Sequence, residues 1–252
     1  MLLTDIRYRV DSDTLRTALQ DSPRLFLSSD GSAKLTDPIG TFGWVLATHD
    51  TILVTGYGPV HGSPMSSSRS EAVGLLAGIQ AAAALVHSLD LHRPPPVTSS
   101  LDNEGVVDIV RAFTSTPPNL PFCRRHNSDV FAELWHTIDS AVLRITTRWV
   151  RGHQDRNNRL HRPLTWEEEL NVKADSLATE ARHFYHASPI PQFFPFPHSR
   201  ITLYHRGQAR TGHTTRLLRN YNNARRFRTY LCRRLDWTDN YYQSFNHEED
   251  GT

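Results

Sequence analysis

Apolar positions along the chain fall into short blocks whose spacing alternates between the strand and the helix period. Leu25-Phe26-Leu27 is a continuous apolar run closed by Ser28-Ser29-Asp30-Gly31, the pattern of a buried strand with a turn. Phe42–Ala47 and Thr51–Tyr57 read as two further strands, joined across His49-Asp50 as a hairpin. From Arg69 to Leu89 the spacing changes: Ala72, Leu75, Leu76, Ile79 and Ala83 recur at helical intervals. His92-Arg-Pro-Pro-Pro ends that helix. Val97–Leu101 is a fourth strand, with a helix from Asn103 to Phe113 after it. Thr114–Asn127 reads as a Pro-bearing loop. Val130, Leu134 and Ile138 mark a helix over Asp129–Val142, and Ile145–Val150 is a β-branched fifth strand. After a polar loop at Arg151–Thr165, Trp166–Tyr185 is a helix opened by a Thr165/Glu168 capping box. The order βββαβααβα predicts an α/β fold: a five-stranded mixed sheet, three antiparallel strands and then parallel ones, flanked by helices.

The pattern also divides the chain. Residues 1–21 read as an N-terminal leader and 22–186 as one domain. Residues 187–200, with Pro189, Pro191, Pro195 and Pro197, read as an extended linker. Residues 201–252 form an Arg-rich tail, expected to be helical over Thr214–Arg234. The longest apolar run is Ala81–Val86, so no membrane span is expected. The charged N-terminus lacks a signal-peptide core, and Cys123 and Cys232 are too few for a disulfide scaffold. An intracellular protein is expected, in the nucleus or the cytoplasm.

Formal net charge is +2, but its distribution is uneven. Residues 1–180 carry 17 basic and 21 acidic side chains; residues 181–252 carry 11 and 5. Only Lys34 and Lys173 are lysines. Arginine forks suit phosphate, so the balance permits a nucleic-acid partner.

Three acids stand at strand and helix ends, and a fourth lies on the last helix. Asp30 lies at the end of the first predicted strand and Asp102 at the end of the fourth. Glu71 is in the first turn of the first helix, and Asp175 is on the last helix. Each has an ordinary reading: Asp30-Gly31 a turn, Asp102 an N-cap, Ser68–Glu71 a capping box, Asp175 a solvated residue. Together they can converge at one sheet edge. Clustered carboxylates repel, and hard divalent cations are the usual remedy.

The chain here resembles the type 1 ribonuclease H domain. The matching segments are LFLSSDGS at 25–32, FGWVL at 42–46, SSSRSEAVGLLAGIQAA at 66–82, SSLDNEGVV at 99–107, TRWVRGHQD at 147–155 and ELNVKADSLA at 169–178. The resemblance implies that Asp30, Glu71, Asp102 and Asp175 hold two Mg²⁺ ions, with Mn²⁺ as the alternative. It implies that His153 assists catalysis or product release. The implied activity is hydrolysis of the RNA strand of an RNA–DNA hybrid, leaving 5′-phosphate and 3′-hydroxyl ends. Gly31, Ser32, Ser67, Ser68, Arg69 and Asn103 are the expected substrate contacts, with Arg124 and Arg125 as further phosphate contacts. Departures are plain. The family often has two Asn before its Glu, where Ser67-Ser68 stand here; Asn103 replaces a common Ser; and the stretch from His153 to Asp175 is long. A proofreading exonuclease would need an acid at position 32, which is Ser. A transposase core would not need Glu71. The tail resembles the region after ribonuclease H domains in some retroelement polyproteins, which implies a reverse transcriptase module as partner. A monomer is expected. The competing function is a non-catalytic nucleic-acid-binding module.

Overall fold

The computed structural model describes residues 5–34, 39–62, 65–91, 93–113, 126–141, 143–153, 162–186 and 196–198, then 203–205, 208–210 and single helical positions between 216 and 229. Its elements are β1 (Asp5–Tyr8), α1 (Ser12–Asp21), β2 (Leu25–Ser32), β3 (Gly40–Ala47), β4 (Ile52–Val60), α2 (Ser67–Ser88) and β5 (Val97–Leu101). There follow α3 (Glu104–Ala112), α4 (Ser128–Ser140), β6 (Ile145–Trp149), α5 (Trp166–His186), β7 (Leu203–His205) and β8 (Gln208–Arg210). The main sheet has the order β1-β4-β3-β2-β5-β6. β3 pairs antiparallel with both β2 and β4, and β5 and β6 run parallel to β2.

Alternation along β3 shows why both faces of this sheet are covered. Phe42, Trp44 and Leu46 enter the large core under α2, while Val45 and Ala47 enter a second core with Leu170, Ala174, Leu177 and Ala181 of α5. Strands buried on both faces lose the polar phase, hence the unbroken run FGWVL. The predicted Thr165/Glu168 capping box forms, with Glu168 N–H donating to Thr165 Oγ1 at 3.3 Å and Thr165 N–H donating to Glu168 Oε2 at 2.8 Å. Arg162 pairs with the same carboxylate at 2.6 Å.

Three expectations are corrected. The sheet has six strands, because residues 5–21 are not a separate leader. β1 pairs antiparallel with β4, Asp5 opposite Tyr57 through Tyr8 opposite Val54. Leu15 and Leu19 of α1 are buried in the main core. β1 satisfies backbone groups that β4 would otherwise present as a bare edge. Second, α2 is long and apolar enough to cross a membrane by composition, against the expectation of no such segment. Two-thirds of that apolar window is buried inside the protein, so its apolarity is that of a core helix. Third, the tail is not purely helical: β7 and β8 form a two-stranded sheet, while the described positions between 216 and 229 are helical. Of the predicted linker, Phe196 packs against the main core and His198 Nδ1 lies 2.9 Å from Glu133 Oε2. Linker residues 187–195 and 199–200, Arg124, Arg125 and the long loop at 154–161 lie outside the described residues.

Candidate active site

β2 and β5 are parallel neighbours, so Asp30 near the end of one and Asp102 just after the other emerge together. α2 brings the third acid. Its N-cap is Ser66, whose Oγ accepts from Arg69 N–H at 3.2 Å; the Ser68–Glu71 capping box does not form, and Glu71 is left to the site. Gly31 sits where a Cβ would strike the backbone of Ser70 and Glu71, so α2 begins hard against β2. As a result, oxygens of Asp30, Glu71 and Asp102 all lie within 4.8 Å of one another.

Asp175 stands outside that close group of three. α5 lies directly on β3, with the Ala174 carbonyl occupying the space a Cβ on Gly43 would need. The next residue, Asp175, faces His153, Oδ2 to Nδ1 at 3.7 Å. Its charge also acts on Asp102. His153 is about half exposed, on left-handed backbone with φ of 52°.

Burial dominates the electrostatics. It pushes the Glu71 carboxyl up to about 9, with the Asp102 and Asp30 charges adding to the shift and the Asn103 hydrogen bond opposing it. Burial also raises Asp102, while His153 draws it back. Glu71 Oε1 accepts from Asn103 Nδ2 at 3.2 Å, whereas Oε2 is buried with no hydrogen-bond partner among the described residues. A buried, orphaned carboxylate oxygen beside two more acids fits a divalent cation. Asp30, Glu71 and Asp102 are the residues to hold it.

The remaining predicted residues divide. Ser67 is exposed; Gly31, Ser32 and Ser68 are half-buried near the three acids. Arg69 is corrected: it is fully buried and forks onto Asp129, Nη1 to Oδ1 at 2.9 Å and Nη2 to Oδ2 at 2.8 Å. Its Nε donates to the His61 carbonyl at 2.6 Å, so it has no path to a substrate phosphate. Asn103 is the N-cap of α3 and bonds inward to Ser68 and Glu71. Two residues escaped the sequence reading. Gly152 lies where any Cβ would strike the Asp102 carboxylate. Trp149, about half exposed, donates from Nε1 to the Asp102 carbonyl at 3.0 Å. The glycine in Arg151-Gly-His was the one available signal, since it follows a strand directly.

The strand order, three antiparallel strands continued by two parallel ones, and the acids at the ends of β2 and β5 and on α2 form one pattern. Solved structures of similar fold are known. Ribonuclease H1 from Halobacterium salinarum aligns at 18% identity and TM-score 0.42, over 64% of this chain and 98% of that one. LC11 ribonuclease H1, solved in complex with an RNA/DNA hybrid, aligns at 15% identity and TM-score 0.46, over 65% and 99%. The protease–reverse transcriptase of prototype foamy virus aligns at 20% identity and TM-score 0.41, over 62% of this chain and 20% of that one. This chain is similar to these structures in fold alone. No family profile matches it, and no curated protein matches it in sequence.

The raised Glu71 carboxyl makes a prediction for this domain. Cation binding must displace a proton from Glu71, so Mg²⁺ affinity is expected to rise with pH through neutrality and level off near 9. Calorimetry in two buffers of different ionisation enthalpy measures that proton release. The same shift sets the stability of the metal-free protein. The folded-state value lies above the ordinary 4.5, so this group's contribution is full below that and is lost as pH rises through about 9. Metal-free melting temperature should therefore fall between pH 6 and pH 9 and recover with Mg²⁺.

Proposed function

We propose that this domain hydrolyses the RNA strand of RNA–DNA hybrids, with two divalent cations, Mg²⁺ in preference to Mn²⁺. The observation that carries the reading is the group of three carboxylates within 4.8 Å, one of them buried with an oxygen unpartnered. When bound, such ions supply charge stabilisation and an activated water for in-line displacement at phosphorus. The chain's own residues do the rest. Asp30, Glu71 and Asp102 hold the cations between two strands and a helix. In this reading His153, whose Nδ1 lies 3.7 Å from Asp175 Oδ2, carries a proton to the leaving 3′ oxygen. Ser67, Ser68, Gly31 and Ser32 line the approach for 2′-hydroxyls, the group that distinguishes RNA from DNA. The catalytic unit we propose spans residues 5–186 and acts as a monomer.

The test is cleavage of a labelled RNA–DNA hybrid with and without Mg²⁺, against double-stranded RNA and double-stranded DNA. Cleavage of the hybrid alone, leaving 5′-phosphate and 3′-hydroxyl ends, is the expected result. No cleavage of the hybrid at any Mg²⁺ or Mn²⁺ concentration overturns the reading.

Ten arginines and no acids lie between Arg200 and Arg234. We propose that this tail holds substrate phosphates. Each phosphate neutralised adds about 0.9 to the log–log salt slope on duplex nucleic acid. Truncation after Ser199 keeps Phe196 and His198 in place. It is expected to weaken hybrid binding and flatten that slope while leaving cleavage at low salt. Equal slopes for full-length and truncated protein would show that the tail does not touch the substrate.

A further inference from the structure

We propose that Asn103 is a positioning residue that aims Glu71 at the cation, an inference that rests on reading the acidic cluster as a cation site. Its side-chain amide is fully committed, and the commitments fix which way round it lies. Oδ1 accepts from the Val106 N–H at 3.2 Å as the N-cap of α3. An N-cap needs an acceptor, so the amide nitrogen must point the other way. There Nδ2 donates to Glu71 Oε1 at 3.2 Å and to Ser68 Oγ at 3.3 Å. One planar group thus joins the start of α3, the first turn of α2 and the Glu71 carboxylate.

The consequence lies in the second carboxylate oxygen. With Oε1 held by the amide, the carboxyl plane is set and Oε2 is left buried, without a hydrogen-bond partner among the described residues, beside the acids Asp30 and Asp102. Without the amide, Glu71 could rotate about its side-chain torsions and relieve its repulsion with Asp30 and Asp102. Groups that orient metal ligands from behind typically change metal affinity by roughly 10–100-fold. Asn103 directly follows Asp102, so the same residue ties the ligand of the strand to the ligand of the helix. The contact also explains a feature of the sequence. Position 68, on α2, is Ser, whose hydroxyl accepts from the Asn103 amide and offers none of its own. The amide that bridges the two elements comes from position 103 instead.

Two substitutions separate the cap from the positioning role. Asn103→Ser and Asn103→Thr keep an N-cap oxygen but remove the amide nitrogen that donates to Glu71, and one short hydroxyl does not span both partners. Mg²⁺ is titrated calorimetrically into each protein without substrate, and the metal-free melting temperature is measured alongside. The expected result is Mg²⁺ binding weaker by 10-fold or more in both variants, with melting temperatures within a few degrees of the parent. Adding Ser68→Asn to Asn103→Ser returns an amide from the α2 side and is expected to recover most of the affinity. Affinity unchanged within about threefold, or a loss that only tracks a fall in melting temperature, overturns the proposal. A double variant no better than Asn103→Ser overturns the amide as the agent. A parent protein that takes up no Mg²⁺ overturns the cation reading itself, a separate outcome from the failure of the variants alone.

Discussion

Replacing Asp102 with Asn is expected to abolish hybrid cleavage while leaving hybrid binding intact. The substitution barely changes shape but removes a charged oxygen from the group of three acids. Losing about 4 kcal/mol of transition-state stabilisation corresponds to roughly a thousandfold in rate, and a ligand to the proposed cations is worth several kcal/mol. Stability should move the other way. Asp102 is the largest charge-based contributor to the raised Glu71 carboxyl, second only to burial. Without it, the metal-free cluster loses repulsion, so the variant is expected to melt above the parent in chelator. The Mg²⁺-dependent gain in melting temperature should shrink at the same time. Single-turnover cleavage, hybrid binding in chelator and melting with and without Mg²⁺ measure the three effects. A variant that cut as fast as the parent would remove Asp102 from the machinery.

Asp129→Ala is expected to be the most damaging substitution for stability. It strips both fork contacts from Arg69, which is fully buried on the first turn of α2. Asn127 Oδ1, at 3.5 Å, and the His61 carbonyl remain, but neither carries a charge. Breaking a buried pair from one side typically costs about 3–5 kcal/mol, because the remaining charge is left uncompensated. For a domain of this size that is a fall of roughly 10 °C in melting temperature. Mg²⁺ affinity should fall too, since Glu71 is two residues further along the same turn. Replacing both partners with apolar residues, Arg69→Met with Asp129→Leu, should restore much of the loss. Thermal melting of the single and double variants is the check. If Arg69 contacted substrate instead, Asp129→Ala would leave the melting temperature untouched and Arg69→Ala would lower the salt dependence of hybrid binding.

Arg69 shows how the site was only partly legible. In sequence it is an arginine at the start of a helix beside a catalytic-looking Glu, as a phosphate contact would be. Its burial depends on Asp129, 60 residues away on α4. Asn103 is similar. A residue after a strand-end acid reads equally as a substrate contact or a cap, and only the closeness of α2 makes it a bridge. The edge strand β1 was missed because Asp5–Tyr8 is short, charged and half-exposed, with nothing local to mark it apart from a leader. Its strand character comes from the open edge of β4.

What the sequence determined by itself is whatever depends on near neighbours. Short apolar or β-branched blocks mark β2 to β6, and apolar spacing near 3.6 marks α2 to α5. The capping box at Thr165 and Glu168 forms because both partners lie within one turn. The acids stand where those elements end, so their approach to one another follows once the strand order is known. What only the tertiary structure decided are the long-range pairings: six strands rather than five, Arg69 locked to Asp129, and Gly152 kept bare for the Asp102 carboxylate. It also decided that Asp30, Glu71 and Asp102 close up while Asp175 stands back beside His153. The physical reason is that burial and close approach belong to pairs of distant segments. A single position carries the residue type needed for such a contact, but the partner, and with it the energy, is set by how the layers pack.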